Sequence, residues 1–151
     1  MKQIYTPEKI EFVGKSIFLA GPTPRSIDVQ SWRPEALDLL SQLHFDGTVL
    51  IPERRDWATK FEYNEQVEWE WQGLENCHAI VFWIPRNLST MPAFTTNVEF
   101  GSYVRSGRAY YGRPDGSPKN DYLDWLYEKV TKREPENNLE NLLERVINGL
   151  A

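Results

Sequence analysis

Residues 79–84 read Ala79-Ile80-Val81-Phe82-Trp83-Ile84, an unbroken apolar run closed by Pro85. Six consecutive apolar residues, including β-branched and aromatic types, predict a strand with neither face turned to water. A strand buried on both faces belongs to a parallel sheet covered by helices on both sides. Two shorter runs match it: Ser16-Ile17-Phe18-Leu19-Ala20, ended by Gly21-Pro22, and Thr48-Val49-Leu50-Ile51, ended by Pro52. Arg108-Ala109-Tyr110-Tyr111-Gly112 reads as a further strand, and residues 1–14 as an arm or short edge element.

The intervening segments carry helical spacing. Over 31–43, Ser31 is placed to cap a helix whose one face holds Trp32, Ala36, Leu37, Leu40 and Leu43, with Pro34 harmless in its first turn. A second helix, capped by Asn64, runs to about Asn76 with Val67, Trp71 and Leu74 inward. A third runs from Thr96 to about Ser106, and a fourth near 121–132 carries Leu123, Leu126, Tyr127 and Val130. The last, about 138–149, presents a Leu139, Leu142, Leu143, Val146, Ile147 and Leu150 stripe, for packing within the domain or against a second subunit. Strands alternating with helices predict an α/β fold: a flavodoxin/Rossmann-like parallel sheet of four to five strands with helices on both faces, as a single domain over 1–151.

Composition narrows the function. A net charge of −5 without a basic run argues against polymeric nucleic acid, whereas a single nucleoside or nucleotide needs only a few polar contacts. The one cysteine, Cys77, excludes an internal disulfide and a cysteine metal cluster. No metal-ligand spacing is present. Neither Gly-x-Gly-x-x-Gly nor a P-loop occurs, and no cofactor is expected. No signal region or membrane span is legible, which predicts a cytoplasmic protein. Aromatic residues make up 13% of the chain, enough to furnish an aromatic-lined pocket as well as a core.

In open parallel sheets, ligands bind beyond the carboxyl ends of the strands. Three segments fall there. Gly21-Pro22-Thr23-Pro24-Arg25 lets the backbone approach a ligand and offers Arg25 to an anion or a sugar hydroxyl. Pro52-Glu53-Arg54 is the second, and Pro85-Arg86 through Glu99 the third. On the helix between the last two, Gln66, Glu70 and Gly73 share one face, which puts Glu70 at the border of the core. Thr96-x-x-Glu99 matches a capping box, in which Glu99 would only accept from the Thr96 N–H. A helix start is equally a place where a carboxylate is held ionised and ready to attack a sugar carbon. His44 and His78 are isolated, and Ser16 and Ser26 lack a nucleophile elbow.

The order and spacing of Ile17-Phe18-Leu19-Ala20-Gly21-Pro22, Ser31-Trp32-Arg33, Leu50-Ile51-Pro52-Glu53, Gln66-Val67-Glu68-Trp69-Glu70, Ile80 to Arg86 and Thr95-Thr96-Asn97-Val98-Glu99-Phe100-Gly101 resemble the nucleoside 2-deoxyribosyltransferase superfamily, in its deoxyribosyltransferase-like branch. The resemblance spans about residues 16–127. It implies a flavodoxin-like five-strand fold, usually an oligomer, and cleavage of the N-glycosidic bond of a 2′-deoxynucleoside. The family's nucleophilic Glu, followed by a hydrophobic residue and Gly, maps to Glu99. The chain departs from the better-known transferases where they carry two Asp residues that hold and protonate the base: here stand Ala93 and Asn76-Cys77, leaving Glu70 or Glu53 as substitutes. Glu99 and Glu70 are the expected catalytic pair. Gly21, Pro22, Arg25, Arg33, Glu53, Trp69, Arg86 and Asn97 are expected to bind substrate, with Trp57, Trp69 or Trp83 to stack on the base. Two alternatives stand beside this: a deoxynucleoside-monophosphate N-glycoside hydrolase, with Arg25, Arg33 and Arg86 on the phosphate, and a non-catalytic nucleotide-binding module.

Overall fold

Four apolar runs become buried strands of one sheet because none of them offers a polar face to water. The computed structural model describes residues 1–151. Its strands are β1 (Lys2–Tyr5), β2 (Ser16–Ala20), β3 (Thr48–Ile51), β4 (Ala79–Trp83) and β5 (Ala109–Gly112). They lie in the order β1-β3-β2-β4-β5, and every pairing is parallel. Every residue of β2, β3, β4 and β5 is buried, as unbroken apolar runs require. The sheet thus reaches five strands because the polar N-terminal segment supplies an edge strand, Lys2–Tyr5 registered on Thr48–Ile51.

Five helices cover the two faces: α1 (Arg33–Gln42), α2 (Tyr63–Asn76), α3 (Phe94–Tyr103), α4 (Asp121–Thr131) and α5 (Leu139–Leu150). Side chains alternate along each strand, so the core divides in two. Phe18, Leu50, Ile80, Phe82 and Tyr111 meet Trp69 and Leu74 of α2, Phe100 of α3, and Leu123 and Tyr127 of α4. Ile17, Leu19, Val49, Val81 and Tyr110 meet Ala36 and Leu40 of α1 and Leu139, Leu142, Leu143 and Val146 of α5. The Leu stripe of α5 is therefore consumed inside the domain. No helix is long and apolar enough to cross a membrane.

Three helix starts differ from expectation. The cap of α1 is Trp32 rather than Ser31, whose hydroxyl accepts from the Arg33 N–H and donates to Glu53. The cap of α2 is Glu62, one residue before Tyr63, so Asn64 lies within the helix. The third helix starts at Phe94 behind Ala93, which sits in the left-handed region at φ 61° with no side-chain cap.

The inward face of α2 is also rotated from the expected one. Trp69, Gly73 and Leu74 are buried, while Val67 and Trp71 are exposed. The physical reason is Gly73. A Cβ there would stand within 3.0 Å of Phe18 and Leu50, so the bare backbone presses on the sheet and fixes the rotation.

Candidate active site

Strand order reverses at β2: the chain leaves it for β3 on one side and then returns to β4 on the other. Loops diverge above that point and leave a crevice. A cavity of about 290 Å³ lies there, walled by Gly21 and Pro22 after β2, Pro52 after β3, Gln66 and Glu70 of α2, and Pro92 to Thr96 with Glu99 around α3. Gly21 adopts φ 137°, and a side chain would run into the Trp83 carbonyl and the Trp32 ring. Glycine is required because the end of β2 passes hard against β4 there.

Two carboxylates enter this cavity from adjacent helices. Glu70 accepts a hydrogen bond from Gln66 Nε2 at 3.3 Å, the i, i+4 pairing expected from the sequence. Its carboxyl is raised above the ordinary range, chiefly by burial, against the Gln66 bond and the positive charge of Arg33. Glu99 sits on the sixth residue of α3. Burial first, then the Glu70 charge, push it from 4.5 up to about 8, with Arg33 opposing. The capping box does not form: Thr96 is inside the helix and buried. Glu99 is thus not held ionised by the helix start, because it lies beyond the free amides of the first turn and burial dominates.

Arg33 is the hidden support of the site. It is 1% exposed and spends its guanidinium on the protein. Its Nε donates to the Leu19 carbonyl at 2.9 Å and its Nη2 to that of Gly21 at 2.8 Å. Its Nη1 donates to Thr23 Oγ1 and to Glu53 Oε2, both at 3.0 Å. The planar fork thereby fixes the turn after β2. Arg33 is thus a scaffold and an electrostatic counterweight, not an anion contact.

Arg86 is likewise buried. It donates to the Pro92 carbonyl at 2.6 Å, to Asn97 Oδ1 at 2.7 Å and to Asn120 Oδ1 at 2.9 Å. It ties the loop before α3 to the start of α4, and it turns the Asn97 amide to the protein; neither residue lines the cavity. Trp69 does not reach the cavity either. It packs on Phe18 with ring centroids 6.0 Å apart and donates to the Glu8 carbonyl, inside the core. Trp83 is buried on β4.

Arg25 is exposed and borders both this cavity and a larger outer one of about 660 Å³. Glu53 lies in the outer compartment with Arg54, Trp57, Lys60 and Phe61. Glu53 is already paired with Arg33, and Arg54 lies 4.7 Å over the Trp57 ring. The two compartments share Thr23, Arg25, Pro52, Tyr63 and Gln66. The inner one holds both carboxylates. Of the expected residues it gathers Gly21, Pro22, Arg25, Glu70 and Glu99. Sequence reading missed Pro92, Ala93 and Thr96 as wall residues, because the helix start was placed two residues late.

A family model described as nucleoside 2-deoxyribosyltransferase like matches residues 14–116. A crystal structure of a conserved protein from Enterococcus faecalis V583 is similar in fold, with a TM-score of 0.59 at 13% identity over 91% of this chain and 99% of that one. No curated protein matches.

Proposed function

This chain belongs to the nucleoside 2-deoxyribosyltransferase-like family, and on that premise we propose that the inner cleft cleaves the N-glycosidic bond of a 2′-deoxynucleoside through Glu99. One observation carries this reading: Glu99 and Glu70 share one small cavity at the switch point of the sheet. Glycosidic cleavage with retention needs a carboxylate nucleophile and a carboxylic acid to protonate the leaving group. Two carboxyls in a poorly solvated cleft hold a proton between them near neutral pH, since both cannot ionise cheaply.

In the reactive arrangement the proton resides on Glu70. The Glu99 oxygen bonds to the anomeric carbon as the carbon–nitrogen bond breaks, and the base departs with the Glu70 proton. The deoxyribosyl group then passes from Glu99 to a second base, or to water, as the ester carbon–oxygen bond breaks and the Glu70 carboxylate takes up the acceptor's proton. The transition state has oxocarbenium character, and the negative Glu99 beside it is stabilising in a site that excludes solvent. Arg33 acts through the backbone it holds and through its charge.

A second reading has its own support. Arg25, Arg54 and Lys60 line the outer compartment, and none is in an ion pair. That setting favours a nucleoside monophosphate and its hydrolysis. The test is incubation with each 2′-deoxynucleoside and its monophosphate, with and without a second free base, followed by chromatography. A new nucleoside that requires the second base and vanishes in Glu99→Gln supports transfer. Free base from monophosphates alone selects the hydrolase. No turnover in any mixture overturns both and leaves a binding module.

A further inference from the structure

Glu99 and Glu70 line only the inner compartment, whereas Gln66, which donates to Glu70, lines both. The order Glu99, Glu70, Gln66 therefore leads from the inner cleft of about 290 Å³ towards the outer one of about 660 Å³. In the proposed reaction the anomeric carbon stands at Glu99 and the departing nitrogen at Glu70. The glycosidic bond then points along that order, with the sugar left in the inner cleft and the base lying outward.

The outer compartment is built on the loop between β3 and α2, and it joins aromatic rings to uncommitted cations. Trp57, 45% exposed, and Phe61 supply the rings. The two carboxylates of the compartment are engaged: Glu53 pairs with Arg33 at 3.0 Å, and Asp56 accepts from the Ala58 and Thr59 N–H groups, each at 2.9 Å. Arg25, Arg54 and Lys60 are in no ion pair. Arg54 is the best prepared of the three. Its guanidinium lies 4.7 Å over the Trp57 ring and 5.8 Å from that of Phe61, and makes one bond, from Nη1 to the Thr59 carbonyl at 3.3 Å. The stack holds the plane of the guanidinium and leaves most of its N–H groups to a ligand. A planar fork of donors is matched by the two oxygens of a carboxylate.

We propose that the outer compartment takes the leaving base, and that this base is a flat heterocycle bearing a carboxylate, packed against Trp57 with its charge on Arg54 and Lys60. The inference rests on the reading of Glu99 and Glu70 given above. As the carbon–nitrogen bond breaks, its electron pair goes to the base nitrogen, which takes the Glu70 proton. Positive charge around the ring stabilises the electron density that builds there in the transition state. A 5′-phosphate is the other claimant on these cations. It hangs from the sugar, however, on the Glu99 side of the bond. A neutral base would fill the compartment and leave its cations without a counter-charge, shut away from water.

The test reads binding rather than turnover, so a chain that binds the base and cleaves nothing fails the proposed chemistry alone. Uracil-5-carboxylate and thymine differ in one substituent. In titration calorimetry of the full chain, the carboxylated base is expected to bind about tenfold tighter or more, as hydrogen bonds to a charged group allow. Arg54→Gln is expected to bring the two bases to equal affinity, and Trp57→Leu to weaken both. Lys60→Gln, at an exposed side chain, is expected to remove part of the advantage and serves as the test should Arg54→Gln not fold. Saturating 2-deoxyribose 5-phosphate is expected to leave the affinity for the carboxylated base unchanged. Equal affinities in the wild type, or no binding of either base, overturn the inference. An advantage that survives in the Arg54 and Lys60 variants overturns it too, as does a Trp57→Leu variant that binds both bases like wild type. Competition by 2-deoxyribose 5-phosphate would assign the cations to a phosphate and overturn it equally.

Discussion

Glu70 of α2 and Glu99 of α3 face one cavity from neighbouring helices, and the charge on Glu70 helps keep the proton on Glu99 up to about pH 8. A lone carboxylate at the start of a helix would do the opposite and ionise early. In the proposed reaction Glu99 is therefore held back until the pair shares its proton correctly.

Removing the Glu70 charge lowers the Glu99 pKa. Glu70→Gln deletes the repulsive charge while burial and Arg33 remain. The Glu99 carboxyl, followed by carbon NMR, is expected to titrate at lower pH in this variant. A midpoint that stays near 8, or rises, contradicts the coupling.

Stability carries the same signature with a definite sign. A carboxyl raised from 4.5 to about 8 binds its proton more tightly in the folded than in the unfolded chain. Unfolding free energy therefore falls as pH climbs from about 4.5 to 8 and then levels off. Glu99→Gln escapes this loss. It is expected to be more stable than wild type by about 2 kcal/mol or more at pH 8, with the gap closing below pH 4.5. Urea titrations at the two pH values decide it.

Arg33 cannot be trimmed without loss. Arg33→Met strands the Leu19 and Gly21 carbonyls and leaves Glu53 without its cation. A cost of about 3–5 kcal/mol is expected from denaturant curves. Arg33→Lys recovers little, as one ammonium does not reach acceptors arranged for a fork. Adding Glu53→Gln to Arg33→Met recovers part of the loss; strict additivity would show that the pair is not coupled.

Gly21→Ala is expected to cost about 1–3 kcal/mol, because φ 137° strains any L side chain and a Cβ has no room beside Trp83. A melting temperature equal to wild type would show that the end of β2 can shift away from β4.

The sheet was legible because Ser16–Ala20, Thr48–Ile51 and Ala79–Trp83 are apolar without interruption, a pattern that has few structural solutions. The position of Glu70 at the border of the core was legible too, through its i, i+4 relation to Gln66. The rotation of α2 was not, since Val67, Trp71 and Leu74 make as good an apolar face as the true one until Gly73 is seen against Phe18. The roles of Arg33 and Arg86 were hidden for a related reason. Their acceptors, backbone carbonyls together with the side chains of Thr23, Glu53, Asn97 and Asn120, lie far along the chain, so no local pattern marks them.

The first strand has a consequence for handling this protein. Lys2–Tyr5 occupies the outer edge of β3, residue for residue from Thr48 to Ile51. Cutting away those four residues would bare a short row of backbone donors and acceptors on an otherwise apolar strand. Such a margin is a template on which other chains add and grow. A fusion that leaves these residues free to seat, rather than one that replaces them, keeps purified material from assembling edge to edge.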